Sequence, residues 1–84
     1  MTYMPDVSIL IANWNGEAIL PRCLDSIYKH TKQVSFEIVL CDDASSDSSL
    51  DLVRRNFPDV KILVNPHNMG YAATTNRAMR LASG

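Results

Sequence analysis

The sequence predicts an α/β fold: a three-layer α/β/α half domain on a parallel sheet of about three strands. Three observations carry that expectation. Short, nearly continuous apolar runs at Val7–Ala12, Phe36–Leu40 and Val60–Val64 show little alternation, which is how strands covered on both faces read. Stretches with helical spacing separate them, and each run ends in a polar loop. The order is therefore β-α-β-α-β-α, and right-handed crossovers place helices on the sheet faces as in half of a doubly wound domain.

The first strand, VSILIA, ends in the polar cluster Asn13-Trp14-Asn15-Gly16. In the helix that follows, Ile19, Leu20, Cys23, Leu24, Ile27 and Tyr28 recur at spacings of three and four, a stripe expected to face a core. Pro21 lacks an N–H and fits only the first turn, so this helix starts no earlier than about Ala18. The second strand runs into Asp42 and Asp43, where it is expected to stop. Ser45, Ser46 and Asp47 then offer caps for a helix reaching Asn56, with Leu50, Val53 and Phe57 on one face, and Pro58 ends it. After the third strand, the loop Asn65 to Gly70 is dense in breakers. An alanine-rich helix over about Tyr71–Ala82 closes the chain, with Ser83-Gly84 as its stop.

Composition narrows the function classes. At 84 residues the chain makes at most one small, marginal domain. Eight basic against nine acidic residues, with no run of like charge, argue against nucleic acid or an anionic membrane surface as partner. No apolar run approaches the roughly 20 residues that span a bilayer, and the start MTYMPDV lacks the parts of a signal peptide, so a cytoplasmic location is expected. Cys23 and Cys41 are read as packed thiols rather than a disulfide, and no Cys/His spacing suggests zinc.

Ligands of open α/β sheets bind beyond the carboxyl ends of the strands, where Asn13–Gly16, Asp42–Asp47 and Asn65–Gly70 gather. An ionised Asp accepts hydrogen bonds and cannot donate them, which suits the imide N–H of uracil or thymine. Trp14 offers a flat face for a base, and Asn13 and Asn15 offer groups for ribose or base edges. Each residue also has a plain structural use: Asp42 and Asp43 as turn residues, Asp47 as a cap, Trp14 as a cover for the sheet end, Gly70 as a positive-φ hinge and Asn76 as surface. His30 and His67 are isolated, without a nucleophile beside them.

Four segments in order, VSILIANWNG, LPRCLDSI, FEIVLCDDASSDSS and NPHNMGYAATTNRAMRLASG, resemble the opening of family 2 glycosyltransferases of the Rossmann-like GT-A fold, a group that includes rhamnosyltransferase-like enzymes. The resemblance runs from Val7 to Gly84. It implies that residues 1–84 are the amino-terminal, nucleotide-binding portion of a glycosyltransferase, whose partner is a UDP- or dTDP-sugar and whose reaction is inverting transfer to an acceptor hydroxyl. By position, Ala12 and Trp14 match residues that meet the base, Asp43 the carboxylate that reads the imide with Asp42 beside it, and Asn68, Gly70 and Asn76 a segment near ribose and diphosphate. The family's metal-binding Asp-x-Asp and its catalytic base lie beyond Gly84, so magnesium or manganese is expected for the full-length enzyme only, with no catalytic or metal residue in this chain and no activity from it alone. The parent enzyme is expected in the cytoplasm or at the cytoplasmic face of the membrane.

Two other classes stay open. A dinucleotide-binding protein would carry GxGxxG after the first strand, whereas this loop is NWNGEA. A non-enzymatic receiver-like or assembly module would use the paired acids for a metal or for nothing. The unpaired sheet edge of such a half domain also predicts homodimerisation.

Overall fold

A computed structural model describes residues 5–82 and gives three parallel strands and three helices in alternation. The strands are β1 (Val7–Asn13), β2 (Phe36–Asp42) and β3 (Lys61–Val64); the helices are α1 (Leu20–His30), α2 (Ser49–Asn56) and α3 (Tyr71–Leu81). β2 lies between β1 and β3. Its register runs from Val7 opposite Phe36 to Asn13 opposite Asp42 on one side, and from Val39 opposite Lys61 to Asp42 opposite Val64 on the other. The α/β architecture with one parallel sheet is the predicted one.

Side-chain parity along β2 sorts the core into two layers, because successive residues of a strand point to opposite faces. Ile38 and Leu40 join Leu20 and Leu24 of α1, Val53 of α2 and Val60, with Ile9 and Ile11 of β1 packed against them. Val39 and Cys41 instead meet Ala78 of α3, with Leu10 and Leu63 alongside. Both faces of the sheet are thus covered, and from Glu37 to Asp42 every residue of β2 is buried. At the sheet end away from the strand termini, Tyr28 packs on Phe36 and stacks on Phe57, with ring centroids 5.6 and 6.1 Å apart.

Three expectations need correction. The stripe on α1 is narrower than its spacing implies: Leu20 and Leu24 are buried, but Ile19 is 72% exposed. Cys23 is exposed as well, so only Cys41 is a packed thiol, and burial raises that thiol's pKa. Leu20, Leu24 and Ile27 make one line of contacts with the core, while Ile19 lies before the first residue of α1. Third, α2 begins at Ser49, later than its polar lead suggested, because Ser45 and Ser46 are spent on hydrogen bonds to Asp42 and Asn15. The N-cap position falls to Ser48, which has no side-chain cap; Asp47, one residue before it, accepts the Ser49 N–H through Oδ1 at 3.0 Å, and the Ser49 hydroxyl above all holds its carboxyl below the usual range.

Candidate functional site

The strand termini end in a cavity of about 260 Å³ lined by Ala12, Asn13, Trp14, Asp43, Asn68, Gly70, Tyr71 and Thr74. Parity decides which side chains reach it. Ala12 and Asp43 are in step with Leu10, Val39 and Cys41, on the α3 side of the sheet. Asn13 and Asp42 are in step with Ile11 and Leu40, and their side chains turn toward α2.

Asp42 therefore serves the scaffold. It is fully buried, accepts the Ser45 N–H at 2.8 Å and the Ser45 hydroxyl at 2.6 Å, and receives Asn13 Nδ2 at 2.8 Å. Asn13 Nδ2 also reaches Ser49 Oγ at 3.0 Å, tying the end of β1 to the start of α2. A side chain on Gly16 would run into Asn13 Oδ1, which explains the glycine there. Asn15, with φ 51°, accepts the Ser46 N–H at 2.8 Å through Oδ1 and so clamps two loops together. Ala44 carries φ 60°, a left-handed conformation that turns the chain just after Asp43.

Asp43 is 6% exposed and organises the other side. Its Oδ1 accepts Met69 N–H at 2.6 Å and Asn65 Nδ2 at 2.9 Å, and its Oδ2 accepts Gly70 N–H at 3.0 Å. Donation from Met69, then from the Asn65 side chain and Gly70, holds this carboxyl below the usual carboxylate range. Asn65 is itself buried; its Nδ2 also donates to Thr74 Oγ1 at 2.9 Å, and that hydroxyl in turn donates a hydrogen bond to Gly70 O at 2.7 Å. The carboxylate thus fixes the loop before α3. Gly70, at φ 90° and ψ 164°, allows the turn that brings two successive N–H groups to one carboxylate.

Asn68 bridges the remaining gap. Its neighbours orient the amide, since an indole N–H can only donate and an ionised carboxylate can only accept. So arranged, Asn68 Oδ1 faces Trp14 Nε1 at 3.3 Å and its Nδ2 faces Asp43 Oδ2 at 3.2 Å. Trp14, 60% exposed, stands on the rim rather than covering the sheet end.

Of the residues singled out from sequence, the cavity brings together Ala12, Asn13, Trp14, Asp43, Asn68 and Gly70. It does not take in Asp42, Asn15 or Asn76; the last is exposed on α3. Sequence reading passed over Asn65, Tyr71 and Thr74. Thr74 lies one turn after Gly70 on the sheet-facing side of α3, four residues before buried Ala78, and that spacing is the signal that could have found it. Among the described residues no three His, Cys, Asp or Glu side chains come together to hold a metal ion. Asp42 and Asp43, the adjacent acids at the strand end, face opposite sides and are already engaged by N–H and O–H donors. Nor is any described helix long and apolar enough to cross a membrane.

Comparison with known proteins agrees with this architecture. Residues 8–84 match the family model described as glycosyl transferase family 2. The chain is 36% identical over 84 residues to a chondroitin synthase of Pasteurella multocida, covering 96% of this chain and 8% of the synthase. It is 37% identical over 83 residues to a PGL/p-HBAD biosynthesis glycosyltransferase of Mycobacterium tuberculosis, covering 95% of this chain and 32% of that protein. Among solved structures, the mannosyltransferase PcManGT of Pyrobaculum calidifontis in complex with GDP-Man and Mn2+ superimposes with a TM-score of 0.79 at 30% identity, over 99% of this chain and 26% of that one. The chain thus spans well under two thirds of the length of each of these proteins.

Proposed function

The chain belongs to glycosyl transferase family 2, and from that premise we propose that it is the part of a glycosyltransferase that recognises the nucleotide of a sugar donor. The observation that carries the proposal is the meeting of Trp14 and Asp43 on one cavity at the carboxyl ends of the strands. A volume of about 260 Å³ suits one ring system rather than a whole sugar nucleotide. In this reading the Trp14 ring supplies a stacking face and Asp43, kept ionised by its donors, accepts an N–H from the base. Ala12, between them, leaves room for the ring; Asn68, Gly70 and Tyr71 border the cavity on the side of the α3 start, where ribose and diphosphate would lie. Asn15 and Asp42 act in this reading through the loops they hold, and Asn76 lies exposed on α3.

The base we propose is uracil or thymine, so the donor is a UDP- or dTDP-sugar and the reaction an inverting transfer to an acceptor hydroxyl. A second reading follows from the mannosyltransferase complex, which contains GDP-Man: guanine also presents an N–H beside a carbonyl. The same complex contains Mn2+, and a divalent ion would supply charge neutralisation for a diphosphate leaving group. The part we assign to this chain is binding and orientation of the nucleoside. Transfer by the whole enzyme, in the cytoplasm or at the cytoplasmic membrane face, belongs to the proposal, as does self-association through an exposed sheet edge. A monomeric mass by light scattering at high concentration would refute the self-association.

Titration of Trp14 fluorescence with UDP, dTDP, GDP, CDP and NAD tests the nucleotide reading. Preference for UDP or dTDP supports it, preference for GDP supports the second reading, and preference for NAD or silence toward all five overturns both. The chain alone is expected not to hydrolyse UDP-glucose or dTDP-rhamnose with metal present, and turnover would overturn that expectation.

A further inference from the structure

We infer that the groove between α3 and β3 is a docking surface for the anionic phospholipid headgroups of a membrane, with Arg77 and Arg80 to hold phosphate and Leu63 and Leu81 as its apolar lining. The groove has a volume of about 220 Å³ and shares no lining residue with the nucleotide cavity. It gives a contact surface to the membrane-face location proposed above, and membrane binding and nucleotide binding hold or fail separately.

The groove exists because α3 packs on β1 and β2 rather than over β3. Leu63 belongs to the row that meets Val39, Cys41 and Ala78 on the α3 side of the sheet, yet the helix leaves it only partly buried. α3 itself, YAATTNRAMRL, carries two arginines and no acid. A basic helix beside exposed apolar side chains is the pattern that meets anionic membranes. The near-zero net charge, which argues against such a surface for the chain taken as a whole, conceals this local separation. Arg80 stands in the last turn, where a cation also suits the helix dipole. Arg77 stands before that turn, and its Nη1 reaches a weak acceptor, Met69 Sδ, at 3.7 Å. Among the described residues no acid pairs with either guanidinium. Lys61, two residues before Leu63, adds nothing to the pair, because Glu37 engages its ammonium at 2.6 Å.

Chemistry selects the occupant. A guanidinium grips phosphate oxygens through two parallel N–H donors, while its stem lies along apolar surface. Leu81 is 40% exposed beside the arginines, and a bare phosphate would leave that surface in water, whereas the boundary between headgroup and acyl chain covers it. β3 has four residues, a short edge that discourages an added peptide strand.

Co-sedimentation of the chain with vesicles tests the assignment. Binding to phosphatidylcholine vesicles carrying about one quarter phosphatidylglycerol is expected to exceed binding to phosphatidylcholine alone by about 10- to 30-fold at low salt, about 5-fold for each arginine, and to fade as salt rises. Arg80→Gln is expected to lose about 5-fold, and Arg80→Lys, which keeps the charge without the fork, less than that. Arg77→Gln combined with Arg80→Gln is expected to lose the whole preference. Leu81→Ser is expected to weaken binding to the mixed vesicles by about 2- to 10-fold. Arg80 is exposed near the end of α3, so its single variants are expected to melt with the native chain and carry the test should the double variant not fold. Equal binding to the two vesicles overturns the inference, and so does a preference that Arg80→Gln leaves unchanged. Full vesicle binding by Leu81→Ser, together with inorganic phosphate moving the Arg77 and Arg80 side-chain resonances, would assign the groove to free phosphate and overturn membrane docking. Absence of vesicle binding, with self-association that the double variant abolishes, would assign it to a second copy and overturn membrane docking equally.

Discussion

Asn65→Asp offers the sharpest test of how the site is held. The substitution keeps the side-chain shape but replaces a donor with an acceptor at a position only 2% exposed. Two hydrogen bonds vanish, one to the Asp43 carboxylate and one to Thr74 Oγ1, each 2.9 Å long in the native chain. A charge-assisted bond and a neutral one together stabilise by about 2 to 4 kcal/mol. The new carboxylate would also sit against Asp43 at hydrogen-bond distance, where two like charges do not both ionise, so the pair takes up a proton and its upper pKa rises. The pH dependence then runs in opposite directions in the two proteins. In the native chain the Asp43 pKa is lowered by folding, so its contribution is present above the ordinary Asp range, near 3.9, and disappears as pH falls through the folded value. In Asn65→Asp the folded pKa is raised, so the penalty is present at high pH and is relieved as pH falls through it. Urea denaturation followed by circular dichroism at pH 7 and pH 5 reads both effects. The variant is expected to be about 2 to 4 kcal/mol less stable at pH 7, a fall of about 10 to 25 °C in midpoint temperature, and to regain part of this at pH 5. A variant within about 0.5 kcal/mol of native at pH 7, or one with the native pH slope, would refute the idea that Asn65 works by donating to Asp43.

Ala44→Gly is expected to be neutral or stabilising by up to about 1 kcal/mol, unlike most Ala→Gly changes, because φ 60° at this position strains a residue with a Cβ; thermal denaturation checks it. Gly70→Ala should cost about 1 to 3 kcal/mol through backbone conformation alone, since a Cβ there meets nothing within 4 Å; an unchanged melting temperature would mean that the turn has another accessible shape. Trp14→Phe keeps a stacking face but removes the indole N–H, so calorimetric titration should show nucleotide binding weakened by about 2- to 10-fold rather than abolished. Asp42→Ala removes the partner of three donors, two on Ser45 and one on Asn13, and should destabilise the fold while leaving any surviving nucleotide preference in the same order.

The contrast between Asp42 and Asp43 shows where sequence reading reached its limit. Both stand at a strand end, both are short acids before serines, and both were read as facing a ligand. Strand parity sends them to opposite faces, and the face with α1 and α2 is filled by Asn13, Ser45 and Ser49 around Asp42. The α3 face carries Ala78 and Thr74, whose small side chains let the helix lie close to the sheet, while the loop before it is tied to Asp43 at the strand end. At the carboxyl ends of the strands the cavity opens on that face, beside Asp43 and Thr74. Asn65 escaped notice because a lone Asn in a breaker-rich loop looks like turn chemistry; what distinguishes it is burial, which a sequence does not print.

The order of the elements, the coverage of β2 on both faces and the family itself were determined by the chain locally, through apolar runs, helical spacing and four ordered segments, because such patterns act over a few residues. Which acid faces the cavity, which of the α1 positions reach the core, and how Asn65, Met69 and Gly70 share one carboxylate were decided only by packing. Those outcomes depend on groups up to 36 residues apart, such as Asn13 and Ser49, meeting across the sheet end, and no local preference encodes such a meeting.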